Sequence, residues 1–331
     1  MMTTMQQMSD VPFSTKHRQG SPMVEAWCGQ LTFKGFHANL QCRSFQYAVG
    51  PLHWLDTAEI AVSVSGFHSC FKPLDVLRFY PPGMSRYFLV QPSGRIAKGT
   101  CGIEQASQGI RLIREFTLPE FIDMAMSKTS NAALETMVSA HANDSLAGSE
   151  LKGSVSCNIG HCSAAANTGD DAVARNDGHR GAACTTGDQS VAASAGHHAL
   201  AANTGNRSAA SAQGPQSVAS NSGHYGIAHT AGEASIAANT GCHALAICTG
   251  PASIAVTTAE HSTAYAEDTD SIALADGRGS KAKASAGAAL ILIHRGAHNE
   301  LIHIRSGIAG KDLKADVWYT LDTAGEFIEV Q

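Results

Sequence analysis

The stretch SAAANTGDDAVARNDGHRGAACTTG, residues 163–187, decides the fold. Three of its glycines stand nine apart, at 169, 178 and 187, and its alanines at 165, 174 and 183 keep the same step. Working outward, the glycine column extends through 160, 196, 205, 214, 223, 232, 241 and 250, and returns at Gly277 after Ala259 and Asp268. The alanine column runs without interruption from Ala165 to Ala282. Two residues before each of these alanines stands Ser, Ala or Gly, so every unit reads as a very short strand followed by a turn. A strand that short cannot bury itself. Stacked coils solve the problem by pairing their backbones and superimposing equivalent small side chains along an axis. Glycine is expected at the corners for two reasons: it accepts positive φ, and it lets backbones approach closely.

A period of 18 lies inside the nine. The residue before the glycine column is Thr168, Thr186, Thr204, Ser222, Thr240 and Thr258 in alternate units, against Asp177, Ala195, Gln213, Ala231, Thr249 and Glu267 in the others. After the alanine column, one series is small or apolar (Ala166, Cys184, Ala202, Ser220, Ala238, Val256, Leu274), whereas the other includes Arg175, His229, Tyr265 and Lys283. The chain is therefore expected to be mainly β, a nonapeptide-repeat β-solenoid over 154–287 with two short strands per 18-residue coil. One half of each coil should be more buried than the other. About seven coils would span roughly 34 Å at the ~4.8 Å strand spacing.

The flanks have different composition. Residues 1–24 read as a disordered polar tail, 25–135 as a small α/β domain, 136–153 as a linker and 288–331 as a C-terminal β cap. In the front domain, Leu31–Phe36, Gln46–Val49, Glu59–Ser65 and Tyr87–Gln91 are expected as strands. Pro73–Tyr80 and Leu118–Met126, the latter capped by Thr117, are expected as helices, with another around Ala132–Ala140. Strands at Ala289–Ile293, Leu301–Ile304, Val317–Leu321 and Glu326–Val330, with a turn at Asp322–Gly325, would close the last open edge of the solenoid. The front domain is expected to cap its other end.

The net charge of −5 and pI near 6.3 offer no general attraction for nucleic acid or anionic membrane. No secretory signal or long apolar run is evident in the sequence, so a soluble, cytoplasmic protein is expected. The nine cysteines lack paired zinc-type spacing and read as reduced thiols.

The order of LTFKGF at 31–36, CRSFQYAVG at 42–50, GFHSC at 66–70, PLDVL at 73–77, SAAANTGD at 163–170 and KADVWY at 314–319 resembles an uncharacterised phage and prophage protein family. That resemblance implies a viral or prophage origin and a host-cell setting, and it brings no activity with it.

Residues able to carry chemistry are few. His68 and Cys70, two apart on a strand, would share a face as a base and a nucleophile must, although a packed core reading fits them as well. Arg43 or His37 could hold a dinucleotide in an ADP-ribosyltransferase-like front domain, with Glu115 or Glu120 as the late carboxylate; this is a fold-level analogy. His161, His179 and His197 should form a ladder, a weak metal candidate and more simply a row of turn residues. Asp170, Asp188, Asn206 and His224 fall short of a calcium-binding column, and no cofactor is expected. The Thr and Ser row invites comparison with ice-binding faces, yet it is one residue wide, with neighbouring asparagines expected to point away. The leading expectation is an interaction protein that uses the solenoid as scaffold or docking surface for a host-cell protein. An enzyme in the front domain and an adhesin-like structural protein are the alternatives, and oligomeric state is left open.

Overall fold

The structure is a computed structural model that describes residues 30–57, 59–80, 85–100, 102–117, 120, 121, 124 and 137–330. The expected tail, residues 1–24, lies outside these.

In the front domain the strands are β1 (Thr32–His37), β2 (Gln41–Cys42), β3 (Phe45–Gln46), β4 (Leu52–Trp54), β5 (Phe67–Cys70), β6 (Ser85–Lys98) and β7 (Glu104–Phe116), with one short helix, α1 (Pro73–Val76). All pairings among these strands are antiparallel. Because β6 pairs with both β1 and β7, the order β7–β5–β1–β6 closes on itself. Alternation then sorts the side chains of β6: Phe88 and Val90 turn into the domain's own core, and Tyr87 and Leu89 face the solenoid side. The expected strand at Glu59–Ser65 is instead a tight turn held by Ala61 and Ser65, with Ser63 at φ 67°. Of the expected helix at Leu118–Met126, Glu120, Phe121 and Met124 are helical and the rest lies outside the described residues. Thr117 does cap it: Glu120 Oε2 accepts the Thr117 amide at 2.9 Å while Thr117 Oγ1 accepts the Glu120 amide at 3.4 Å.

The solenoid begins earlier than the glycine column. Residues expected to be linker, and the end of the expected Ala132–Ala140 helix, form the first coil, with strands β8 (Met137–Ala140) and β9 (Leu146–Ser149); 132–136 lie outside the described residues. Strands then alternate between two parallel stacks as far as β24 (Lys281–Ala284) and β25 (Ala289–Arg295). Every register step is 18 residues through the repeats, for example Val155 against Val173 and Ala165 against Ala183. The alanine column is fully buried between the two sheets.

The corners correct one expectation. Positive φ falls on the residue two after the glycine column, from Cys162 and Asp171 through His261 and Asp270, and those residues are not glycines. The column glycines serve the close approach: a Cβ on Gly205 would sit 1.9 Å from the Gly187 carbonyl oxygen, one coil back. The asparagines do not point away either. Asn221 is buried, its amide nitrogen donates to the Ser208 carbonyl at 3.1 Å, and its oxygen accepts the Gly223 N–H at 2.8 Å. This satisfies polar groups that the corner would otherwise strand.

At the far end, β26 (Leu301–Ile308) pairs antiparallel with β25, β27 (Trp318–Leu321) with β24, and β28 (Phe327–Val330) with β27. Tyr319 and Leu321 plug the alanine core, as a cap must.

The front domain is not a cap. It lies along the flank of the sheet that contains β8 and β24, where Val155, Val173, Val191, Ala209, Ile227 and Leu245 form an outward column. Phe33, Leu74, Leu77, Tyr87, Phe116 and Phe121 pack in one cluster with that column. Two polar contacts fix the register: Lys72 Nζ lies 2.6 Å from Asp171, and the Gln189 side-chain amide donates to Asp75. This is the covered sheet. The sheet containing β9 and β25 is the open one.

Candidate functional site

A cleft of about 490 Å³ opens in the front domain, between β1, the β2–β3 turn, β5 and the segment after α1. The sequence places Arg43 at that turn in the left-handed region, φ 54°, and brings His37, Cys42, Arg43, His68, Cys70 and Glu104 to the lining. Phe45 packs edge-on against Tyr47 at 4.8 Å and Phe67 at 5.2 Å, forming an aromatic wall.

Lys34 occupies the floor. It is 4% exposed, donates to the His68 carbonyl at 2.7 Å, and lies 3.8 Å from Cys42 Sγ. The Phe36 and Tyr47 rings flank its ammonium at 5.4 and 5.6 Å. Burial pushes the lysine below its ordinary value, with the cysteine neighbours opposing. The Tyr80 hydroxyl donates to Cys42 Sγ at 2.8 Å, so the thiol has a phenol on one side and the amine on the other.

His68 and Cys70 both line this cleft, and among the described residues no hydrogen bond joins them. His68 Nε2 accepts the Ser63 amide at 2.8 Å, and burial followed by the Lys34 charge lowers its basicity. Burial, reinforced by Asp75 and Glu104, raises the Cys70 thiol to about 12, far above the range in which a thiolate forms at neutral pH. Glu115 and Glu120 lie elsewhere. Glu115 makes a two-pronged ion pair with Arg86 at 2.6 Å, and Glu120 pairs with Arg114 and caps its helix. The carboxylate that does line the cleft is Glu104.

The histidine ladder exists as spaced. His161, His179 and His197 stack with centroids 5.2 and 5.0 Å apart and ring planes within 9° and 16° of parallel. Parallel rings do not converge on a point, and among the described residues no three His, Cys, Asp or Glu side chains are grouped to hold an ion. A second stack, Tyr225, His243 and His261, repeats the arrangement at 5.2 and 5.1 Å. Asp170, Asp188 and Asn206 each accept the backbone N–H of the residue 18 further on, at 2.8–3.0 Å, which explains their types at that turn.

Sequence reasoning missed Lys34, Cys42 and Tyr80. The readable signal was a lysine between apolar residues in a strand, LTFKGF, where a charge is out of place unless it is used.

Residues 30–124 match the model of a family described as a domain of unknown function, DUF7666. The match covers the front domain and stops before the repeats, and it supports an uncharacterised family for that part of the chain. No curated protein and no solved structure matches the chain.

Proposed function

We propose that the chain is a phage- or prophage-encoded interaction protein of the host cytoplasm, in which the solenoid is a rigid scaffold and its open sheet docks a protein partner. The observation that carries this reading is the unequal treatment of two similar faces. On the covered sheet, an aliphatic column is buried by the front domain. On the open sheet the matching column, Ala164, Ala182, Leu200, Val218, Ile236, Ile254 and Ile272, is equally apolar and carries no charge, and Leu200 and Ile236 are both 39% exposed. Beside it runs a row of Ala166, Cys184, Ala202, Ser220, Ala238, Val256 and Leu274, likewise uncharged. Two such rows make a flat patch on the order of 400 Å², a size that on monomers is often functional and suits a transient partner.

The test compares full-length bait with its L200D/I236D variant in capture from phage-infected cells. A partner retained by the native chain and lost by a variant of unchanged thermal midpoint supports docking on the open sheet. Equal capture by both refutes it.

A further inference from the structure

Among the described residues the Lys34 environment is incomplete as a closed protein site. None of the ion pairs among the described residues includes Lys34, and its side-chain neighbours there are the Cys42 thiol and the Phe36 and Tyr47 rings. Burial holds Lys34 below its ordinary basicity, and its hydrogen bonds to one carbonyl and one sulfur, with the two flanking rings, leave its charged form without a counter-ion among the described residues. Arg43, exposed at the mouth of the same cleft, also lacks an ion-pair partner among the described residues. The single lining carboxylate, Glu104, is outnumbered by these two basic side chains. Aromatic and apolar side chains make up much of the remaining wall, the composition of a small-molecule site in which a few polar groups set the orientation.

We propose that this cleft binds a small molecule with an anionic head group, carboxylate or phosphate, on a flat apolar body. The head group pairs with Lys34 Nζ, and Arg43 closes on it from the mouth. The flat body lies between Phe45, Tyr47 and Tyr80, where face and edge contacts suit a ring. Nothing in this assignment depends on what the open sheet docks, because the cleft and that sheet are formed by different parts of the chain.

The experiment uses the full chain and three probes that share a phenyl ring: benzoate, phenyl phosphate and benzyl alcohol. At concentrations about tenfold above its Kd, an anionic probe should raise the thermal midpoint by roughly 2 °C. Benzyl alcohol should not. Whichever of benzoate or phenyl phosphate gives the larger shift identifies the head group. Lys34→Met should abolish the shift, and the surface change Arg43→Gln should reduce it several-fold in affinity while leaving the fold intact. Without ligand, Lys34→Met should melt at or above the native midpoint, since a buried amine with no carboxylate partner among the described residues has been replaced by an apolar side chain of similar length. Equal response to all three probes, or an anion response that survives in both variants, overturns the proposal.

Discussion

At the level of single residues, the corner of each coil divides two demands that could have fallen on one glycine. From Gly160 to Gly250 close approach is met by the glycine column, whereas the left-handed turn is met two residues later by Cys, Asp, Arg, Gln, His, Tyr and Ala. The two sites therefore respond to substitution in opposite ways. Gly205→Ala drives a Cβ to within 1.9 Å of the Gly187 carbonyl and should cost more than about 3 kcal/mol, or prevent soluble folding. Ala252→Gly, at φ 52° on an exposed corner, should leave stability unchanged or raise it by up to about 1 kcal/mol. Urea titration of both variants decides it: a tolerated Gly205→Ala would remove the close-approach account. The column of glycines was legible in the sequence. Which demand it served was not, because φ belongs to the whole corner and the crowding atom comes from another coil, 18 residues away.

At the level of elements, the two sheets are built from similar strands and differ in what covers them. Ile227 on the covered sheet is 1% exposed, and Ile236, one unit later on the open sheet, is 39% exposed. Ile227→Thr should cost about 2 kcal/mol or more, through lost apolar burial and a hydroxyl placed among aliphatic and aromatic groups. It should also loosen the front domain, seen as faster limited proteolysis of the full chain. Ile236→Thr keeps the β-branched shape in a half-exposed place and should stay within about 0.5 kcal/mol of native. Equal losses would mean that the front domain does not clamp the solenoid. The 18-residue period announced that the two halves differ. It did not tell which half is covered, since the cover comes from Phe33, Leu74, Leu77 and Phe116, far away in sequence and with no periodic signal of their own. The same distance hid the cleft: Lys34, Cys42, His68 and Tyr80 meet only because β1, β5 and the segment after α1 close around one another. The C-terminal strands were legible because an open solenoid end requires pairing, and Asp322–Gly325 has the turn chemistry to supply it.

At the level of the whole molecule, covering the solenoid buries titratable groups of opposite habit, and their effects on stability should nearly cancel in mildly acid solution. His229, 3% exposed on the covered sheet, is lowered by burial to about 4. A histidine lowered in the folded state favours unfolding once the unfolded chain protonates. Its stability is therefore complete above about pH 6.5 and is lost as pH falls toward 4, by roughly 3 kcal/mol at the limit. His68 is lowered in the same sense. Asp75, in the clamp beside Gln189, is raised by burial to about 6, against the pull of Lys72 and Arg207. Between about pH 4 and 6 the folded state holds the Asp75 proton more tightly, so this contribution grows as pH falls, again by roughly 3 kcal/mol. The native chain should thus show little change in denaturation midpoint across that window. Removing one side should expose the other. His229→Gln should make the protein relatively more stable at pH 4.5 than at pH 7, whereas Asp75→Asn, which keeps an acceptor for Gln189, should make it relatively less stable. Denaturant midpoints for the three chains at those two pH values check the balance. Parallel pH responses in both variants would show that the two groups do not titrate from within the folded clamp.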